Sequence, residues 1–324
     1  MTRFQFLTAA LVTCAMQGPL PSAMADEYPT KPIRYVAPFA PGGATDLVAR
    51  LLGERLGQKL GQPVFVENKA GASGLIGTRQ VAQAAGDGYT MVGITFNYLV
   101  FPVMFKELGF DMAKDLAPVT QIVTLPSVLL VPVTSKITSV SELVAEAKRR
   151  PGTIKFASSG VGTASHIAGE LLKREARIEI DHVPYRGGGP ANVDLIAGHV
   201  SMHFANIGSA IEYVRAGRLR ALAVATNERI PSLPDVPTMK ECGFPNFQIN
   251  EIQGILMPGK TPAAIVDKVS KELVTILRDP EMVKKFEAMG GQVVASTPEE
   301  FASFLKTSML RWSEVARASG IVAE

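Results

Sequence analysis

Two side-chain groupings in this 324-residue sequence could break bonds or hold a metal, and a third could only bind. Ser165 and His166, with Asp46 or Glu170 as a third member, offer a nucleophile, a base and an orienting carboxylate. Adjacent residues on a helix point about 100° apart and do not face each other, and no Gly-x-Ser-x-Gly elbow occurs. A structural histidine is the better reading, so no catalytic residue is assigned. His199 and His203 have a chelating spacing on a helix, but 200–205 reads as a strand, where positions four apart lie about 13 Å from each other. No cysteine or carboxylate sits beside them in sequence. No metal or cofactor is expected.

The third grouping is a set of glycine-rich turns that follow apolar strand-like runs. They are Pro41-Gly42-Gly43, closed by Asp46; Gly71 to Gly77; Ser158 to His166; and Tyr185-Arg186-Gly187-Gly188-Gly189-Pro190. Glycine frees a backbone to bare its N–H groups, and a helix start adds partial positive charge, so such a junction seats a small anion. Nucleotide readings fail: there is no G-x-x-x-x-G-K-[ST], Ser165 stands where Gly160-Val161-Gly162 would need a third glycine, and Gly71 to Gly77 has the wrong spacing. The first and third turns could hold one carboxylate between them, or one each of a dicarboxylate, with no arginine. Asp46 could touch ligand or act as a base. The favoured role is a first-turn carboxylate bonded to its own loop, since facing an anion it would repel it. Thr163 and Ser165 could cap the helix or donate to ligand, and Asn97, Asn206 and Ser209 lie at strand ends where a pocket would be lined.

Positioning these turns requires an alternation of strands and helices. Strands are expected at 33–36, 64–67, 90–94, 117–123, 128–133, 154–157, 180–183, 200–205, 221–224 and 254–257. Amphipathic helices are expected at 45–60, 75–85, 141–150, 165–175, 190–197, 209–216, 262–277, 280–289 and 298–318. That order implies α/β lobes, each a mainly parallel sheet flanked by helices. Breaks near 122–127 and 246–254 suggest that the chain crosses twice between two lobes, making a two-strand hinge with the ligand between them. The expected division is 26–125 plus 252–324 for one lobe and 126–251 for the other.

The first 25 residues have the form of a secretory signal, with Arg3, the apolar run Phe4 to Met16 and Ala23-Met24-Ala25 for cleavage. Lipid attachment at Cys14 is the lesser alternative, because Thr13 fits that signal poorly. Cleavage leaves Cys242 as the sole cysteine, so the core must hold the fold. It also removes Arg3 and lowers the formal net charge from +3 to +2. The charges are interspersed, which argues against nucleic acid. No later segment is long and apolar enough to span a membrane. An exported, soluble, monomeric protein is expected.

Several segments, in order, resemble the tripartite tricarboxylate transporter receptor (Bug-type) family. They include Tyr28 to Arg34, Pro38 to Asp46, Val66 to Gly74, Asp87 to Thr90, Ala157 to Thr163, His182 to Gly188, Leu219 to Val224 and Leu233 to Thr238. The resemblance implies a periplasmic binding protein of the type II-like, Venus-flytrap kind that holds a carboxylate between the loops at Phe39–Asp46 and Ser158–His166. It implies work with membrane permease subunits, or with a membrane sensor. The resulting ligand-site set is Phe39, Ala40, Gly42, Gly43, Asp46, Asn97, Ser158, Gly162, Thr163, Ser165, His166, Ala205, Asn206 and Ser209. Two departures shape the choice of ligand. Ala205-Asn206 stands where the family usually has Asp-Asn, and Asn250-Glu251-Ile252-Gln253 lacks an aromatic residue usual before the return strand. Without the Asp, a mono- or dicarboxylate, aromatic acids included, is expected rather than a free amino acid. The lesser alternatives are a sensing partner and an exported hydrolase or lyase using Asp46 and His166.

Overall fold

A computed structural model of the chain describes residues 28–42 and 44–321. The signal reading, Cys14 and Gly43 therefore lie outside the described residues. The strands are β1 (Ile33–Ala37), β2 (Val64–Asn68), β3 (Thr90–Thr95), β4 (Leu116–Pro132), β5 (Lys155–Ser158), β6 (Asp181–Pro184), β7 (Met202–Asn206), β8 (Leu219–Val224), β9 (Asn250–Pro258) and β10 (Gln292–Val293). The helices are α1 (Ala44–Leu60), α2 (Leu75–Ala82), α3 (Phe101–Met104), α4 (Val140–Arg149), α5 (Ala164–Ala176), α6 (Gly188–Ala197), α7 (Ile207–Arg215), α8 (Ala263–Leu277), α9 (Pro280–Ala288) and α10 (Pro298–Ala318). Short 3-10 turns at Ala72–Gly74 and Phe96–Val100 follow β2 and β3.

The strands form two sheets that share one member. In the first, the order is β2-β1-β3-β9-β4, with β10 on the far edge of β4. In the second, β8 and β7 flank the later half of β4, and β5 and β6 continue beyond β7. The expected strands at 117–123 and 128–133 are thus one strand. Pro126 does not break it, because it sits where the partner of β4 changes from β9 to β8 and the ladder is already interrupted. The return path runs from β8 through residues 225–249 into β9, along the same side of β4. Ala225 donates to Ser127 and Ile249 donates to Ala225, so the second crossing is tied to the first.

The sheets are mixed rather than mainly parallel. β1, β2 and β3 run parallel, as do β5, β6 and β7, but every pairing that involves β4 or β9 is antiparallel. The reason is topological: a chain that goes out along one strand and comes back along the next must pair them antiparallel.

This geometry aims the loops. β4 runs in the direction of β1 and β3, since both β3 and β4 oppose β9. β5, β6 and β7 run against β4. The carboxyl ends of the parallel strands in the two sheets therefore point toward each other across the hinge. Helices cover both sheets. Leu52 of α1, Val269 of α8 and Phe286 of α9 form one core, and Leu195 of α6 and Ile211 of α7 belong to another. The third core runs through both lobes, from Phe101 and Leu256 past Trp312 of α10 to Leu143 of α4 and Ile167 of α5. Burying one such Leu or Phe contributes roughly 1.5–3 kcal/mol. The helix starts read from sequence are present: Ser139 caps α4, and Thr297 with Glu300 makes a capping box on α10.

Candidate functional site

The first loop joins β1 to α1. Asp46, in the first turn of α1, turns back beneath it. Its Oδ2 accepts from the Gly42 N–H at 2.9 Å and from Arg50 Nε at 3.1 Å, and its Oδ1 accepts from Asn68 Nδ2 at 2.9 Å. Arg50 also lies 2.9 Å from Oδ1. Asp46 is only 3 % exposed, covered by its own loop and Arg50 rather than by depth in the core. The Arg50 guanidinium and the Gly42 N–H hold its carboxyl down at about 2. Asp46 is a brace that bends Gly42 into a positive φ of 80°, and both its oxygens are committed. Phe39 packs its ring toward Gly74, and its carbonyl accepts from Asn68 Nδ2 at 3.1 Å. Ala40 and Gly42 are exposed at the loop tip.

Asn97 is buried, and its Nδ2 reaches the Ser73 carbonyl at 3.4 Å. It joins the turn after β3 to the turn after β2, so the loops after β1, β2 and β3 form one wall.

The second loop joins β5 to α5 and its bracing hydrogen bonds are made by neutral groups, with the Glu170 carboxylate 4.0 Å from His166 Nε2 and beyond hydrogen-bond reach. Thr163 Oγ1 donates to the Gly160 carbonyl at 2.7 Å, Ser165 Oγ accepts from the Ser159 N–H at 2.8 Å, and the two hydroxyls are 2.9 Å apart. His166 Nδ1 accepts from the Gly162 N–H at 3.1 Å, which leaves its proton on Nε2. Its ring stacks on His182 at a 3.8 Å centroid separation and 10°. His182 Nε2 lies 2.6 Å from Ser158 Oγ. Burial, with the neighbouring His182 adding to it, pushes His166 down to about 3; burial alone pushes His182 down to about 4. Both imidazoles are neutral near pH 7.

A serine–histidine hydrogen bond can arm a nucleophile. Ser158 is fully buried, however, and its Oγ also interacts with the Gly160 backbone. Asp46 is tied up in the other loop. The hydrolase reading has no reachable nucleophile here. His199 pairs with Asp194 at 3.3 Å, while His203 is buried with Nδ1 on Asn192 at 2.9 Å. They form no chelating pair, and among the described residues no group of three or more His, Cys, Asp or Glu could hold a metal.

The helix starts that face the gap therefore offer N–H groups. The first-turn amides of α1 and α5 have no intrahelical acceptor. Asn206 caps α7, with Oδ1 accepting from Gly208 N–H at 2.8 Å, and Ser209 Oγ donates to the Asn206 carbonyl at 2.8 Å. Asn206 ends β7 and Ser209 lies in the first turn of α7, so both stand at the carboxyl end of that strand. Ala205 does not: opposite Val128, it is fully buried in the core under α6 and α7. Its side chain points to the helix-covered face because strand residues alternate.

Pairing fixes the width of the gap. Thr95, the last residue of β3, is level with Val123 of β4, and Asn206, the last of β7, is level with Ser127. Four residues of strand separate the two ends, or about 13 Å. Off to one side the lobes touch: a Cβ on Gly162 would collide with Met104 Sδ of α3. Three residues of this region did not stand out in the sequence as site residues. Met104 and His182 come from segments remote in sequence. Glu251, which bonds the N–H of Phe96, appeared only as a departure from a pattern.

The sequence pattern described as the tripartite tricarboxylate transporter family receptor matches residues 48–321. Among solved structures, Rpa4515 of R. palustris with adipate is 31 % identical, with a TM-score of 0.84 over 92 % of this chain and 100 % of that one. The periplasmic binding protein BugD is 32 % identical, with a TM-score of 0.81 and the same coverage. MatC of Rhodopseudomonas palustris with bound malate is 31 % identical, with a TM-score of 0.80 over 89 % and 99 %.

Proposed function

We propose, from the premise that the chain belongs to the tripartite tricarboxylate transporter receptor family, that it is an extracytoplasmic solute-binding protein that captures a small carboxylate between two lobes. The observation that carries this reading is the pair of glycine-bent helix starts, α1 and α5, aimed at each other across the hinge strands. Backbone N–H groups at a helix N-terminus bind a carboxylate without a cationic side chain. The gap of about 13 Å suits a short dicarboxylate with one end at each loop. Relatives with adipate and with malate support the same ligand class. Family receptors work with a transporter, and we assign this chain to delivery of its ligand to membrane permease subunits.

Residues 1–25 are an export signal, residues 26–125 with 252–324 make one lobe, and residues 126–251 make the other. Contacts to ligand come from Ala40, Gly42 and Gly43 on one side and from Gly162, Thr163 and Ser165 on the other, with Asn206 and Ser209 at the edge. The mature chain acts as a monomer.

The test is thermal unfolding of ligand-stripped protein against a panel that includes succinate, malate and adipate. A ligand at a hundred times its Kd stabilises the folded state by about 2.7 kcal/mol, enough to raise Tm by several degrees. A panel in which no carboxylate shifts Tm and none gives calorimetric heat overturns the reading.

A further inference from the structure

Glu251 lies on β9 opposite Leu125 of β4, midway between Val123 at the level of the β3 end and Ser127 at the level of the β7 end. It is the only ionisable side chain on the two crossing strands between those levels, residues 123–127 and 250–253. Its carboxyl group reaches toward the first wall, where Oε1 accepts from the N–H of Phe96 at 2.8 Å and from that of Ile252 at 3.1 Å. Among the described residues no group bonds Oε2. Leu125, its cross-strand neighbour on the same face, is buried, and Glu251 itself is half-buried.

No cation offsets this carboxyl. β4 brings no titratable residue between 116 and 132, the turn at 72–78 brings none, and Arg79 of α2, which packs on β9, is held by the Leu108 and Glu107 carbonyls. Beyond β3 the only one is Tyr98, whose hydroxyl is turned away to the Met112 carbonyl. From α10, Arg311 is held by the Asn246 and Gln248 carbonyls and lies over Trp312. His203 of β7 is buried against Asn192. Burial raises the Glu251 carboxyl to about 7, although the two N–H donors favour its ionised form.

An ionised carboxylate in the middle of an anion-binding gap would repel the ligand, whereas a protonated one carries an O–H donor. We propose that Glu251 reads the charge of the ligand: when a dicarboxylate enters the gap, Glu251 takes one proton from solvent and donates it in a hydrogen bond to a ligand carboxylate. The inference rests on the carboxylate reading of the cleft. The gain approaches one proton per ligand bound where the free carboxyl is ionised, and the complex holds the pair as O–H···O⁻.

The test is calorimetry with succinate, malate and adipate in buffers of differing ionisation enthalpy. Between about pH 7 and 8.5 these probes stay fully ionised. Affinity should fall toward tenfold per pH unit, with uptake approaching one proton per site at the upper end. Glu251→Gln keeps an acceptor for the Phe96 N–H and a neutral donor for the ligand, so it should bind with flat affinity and no uptake. Wild-type binding that is flat with pH and takes up no proton overturns the role of Glu251 and leaves the receptor reading intact. So does a Glu251→Gln variant that keeps the wild-type slope. Failure of every probe to bind at any pH removes both.

Discussion

The two loops that face each other across the hinge are built from the same parts and braced by opposite means. Each leaves a parallel strand, bends at a glycine with positive φ, and starts a helix. In the first loop the bending amide, Gly42 N–H, is held by a carboxylate that carries its own arginine and asparagine. In the second, Gly162 N–H is held by a neutral imidazole, itself stacked on another and backed by hydroxyls. A charged brace is tolerable next to an anion only because Arg50 cancels it. A neutral brace needs no such cancellation but works only while its imidazoles stay unprotonated. The shape of an anion seat and the electrostatics of its support are thus separable, and the two loops should fail under different insults.

Removing the charged brace should have the largest effect. Asp46→Ala strips the Gly42 N–H, Arg50 and Asn68 of their common acceptor, and hydrogen bonds to charged groups are worth about 1.5–3 kcal/mol each before relaxation. With Arg50 half in solvent the net loss is discounted to about 3 kcal/mol in chemical denaturation. Carboxylate affinity should fall at least a hundredfold, by about 2.7 kcal/mol or more. Asp46→Asn, which keeps an acceptor, should fall between. An Asp46→Ala variant that binds like wild type would mean the first loop keeps its shape without the brace.

Mild acid should single out the second loop. All four histidines of the chain lie between 166 and 203, so none is close in sequence to the first loop. His166, His182 and His203 are held at about 3, about 4 and about 3 by burial, against 6.5 for an exposed imidazole. Below pH 6.5 the unfolded chain takes up protons that the folded chain refuses, so stability falls as pH drops and levels off only near the folded values. At about pH 6 the loss is roughly 1 kcal/mol per imidazole. Asp46 behaves differently: its support persists until pH falls below 3.8 and vanishes toward 2. Glu251 has the opposite sign and costs stability as pH rises from 4.5 through about 7. Hydrogen exchange at about pH 5.5 should therefore show protection lost at 159–166 before 40–50. Simultaneous loss would erase the distinction between the braces.

Much of this was legible in the sequence because it is local. The glycine turns, the helix starts and the bracing role of Asp46 depend on residues within a few positions of one another, and so does the failure of Ser165 and His166 to form a dyad. Pro126 makes the long strand β4 look like two in the sequence, because proline usually ends a strand, and only the change of partner from β9 to β8 makes it harmless. Ala205 was expected at the ligand because of its place in a motif, but strand alternation turns it into the core. His182 and Glu251 act through contacts 24 and 155 residues away, with Ser158 and Phe96, and no local pattern announces those.

The smallest effect distinguishes the loops most sharply. Gly42 and Gly162 have nearly the same conformation, with φ of 80° and 75°, so an alanine at either position should cost about 1 kcal/mol of backbone strain. Their surroundings differ. A Cβ on Gly42 meets nothing within 4 Å, whereas one on Gly162 would collide with Met104 Sδ of the opposite lobe. Methionine is flexible and can swing aside in an open protein, so Gly162→Ala should unfold with nearly the same free energy as Gly42→Ala. Closure is where the two part, because bringing the lobes together presses the new methyl group onto Met104. Gly162→Ala should lose roughly tenfold in carboxylate affinity relative to Gly42→Ala, about 1.4 kcal/mol, through faster dissociation. Met104→Ala made in the Gly162→Ala background should recover most of that loss, since it empties the space the methyl group needs. Equal affinities for the two glycine variants, or no recovery in the double variant, would show that the lobes close on the ligand without this contact.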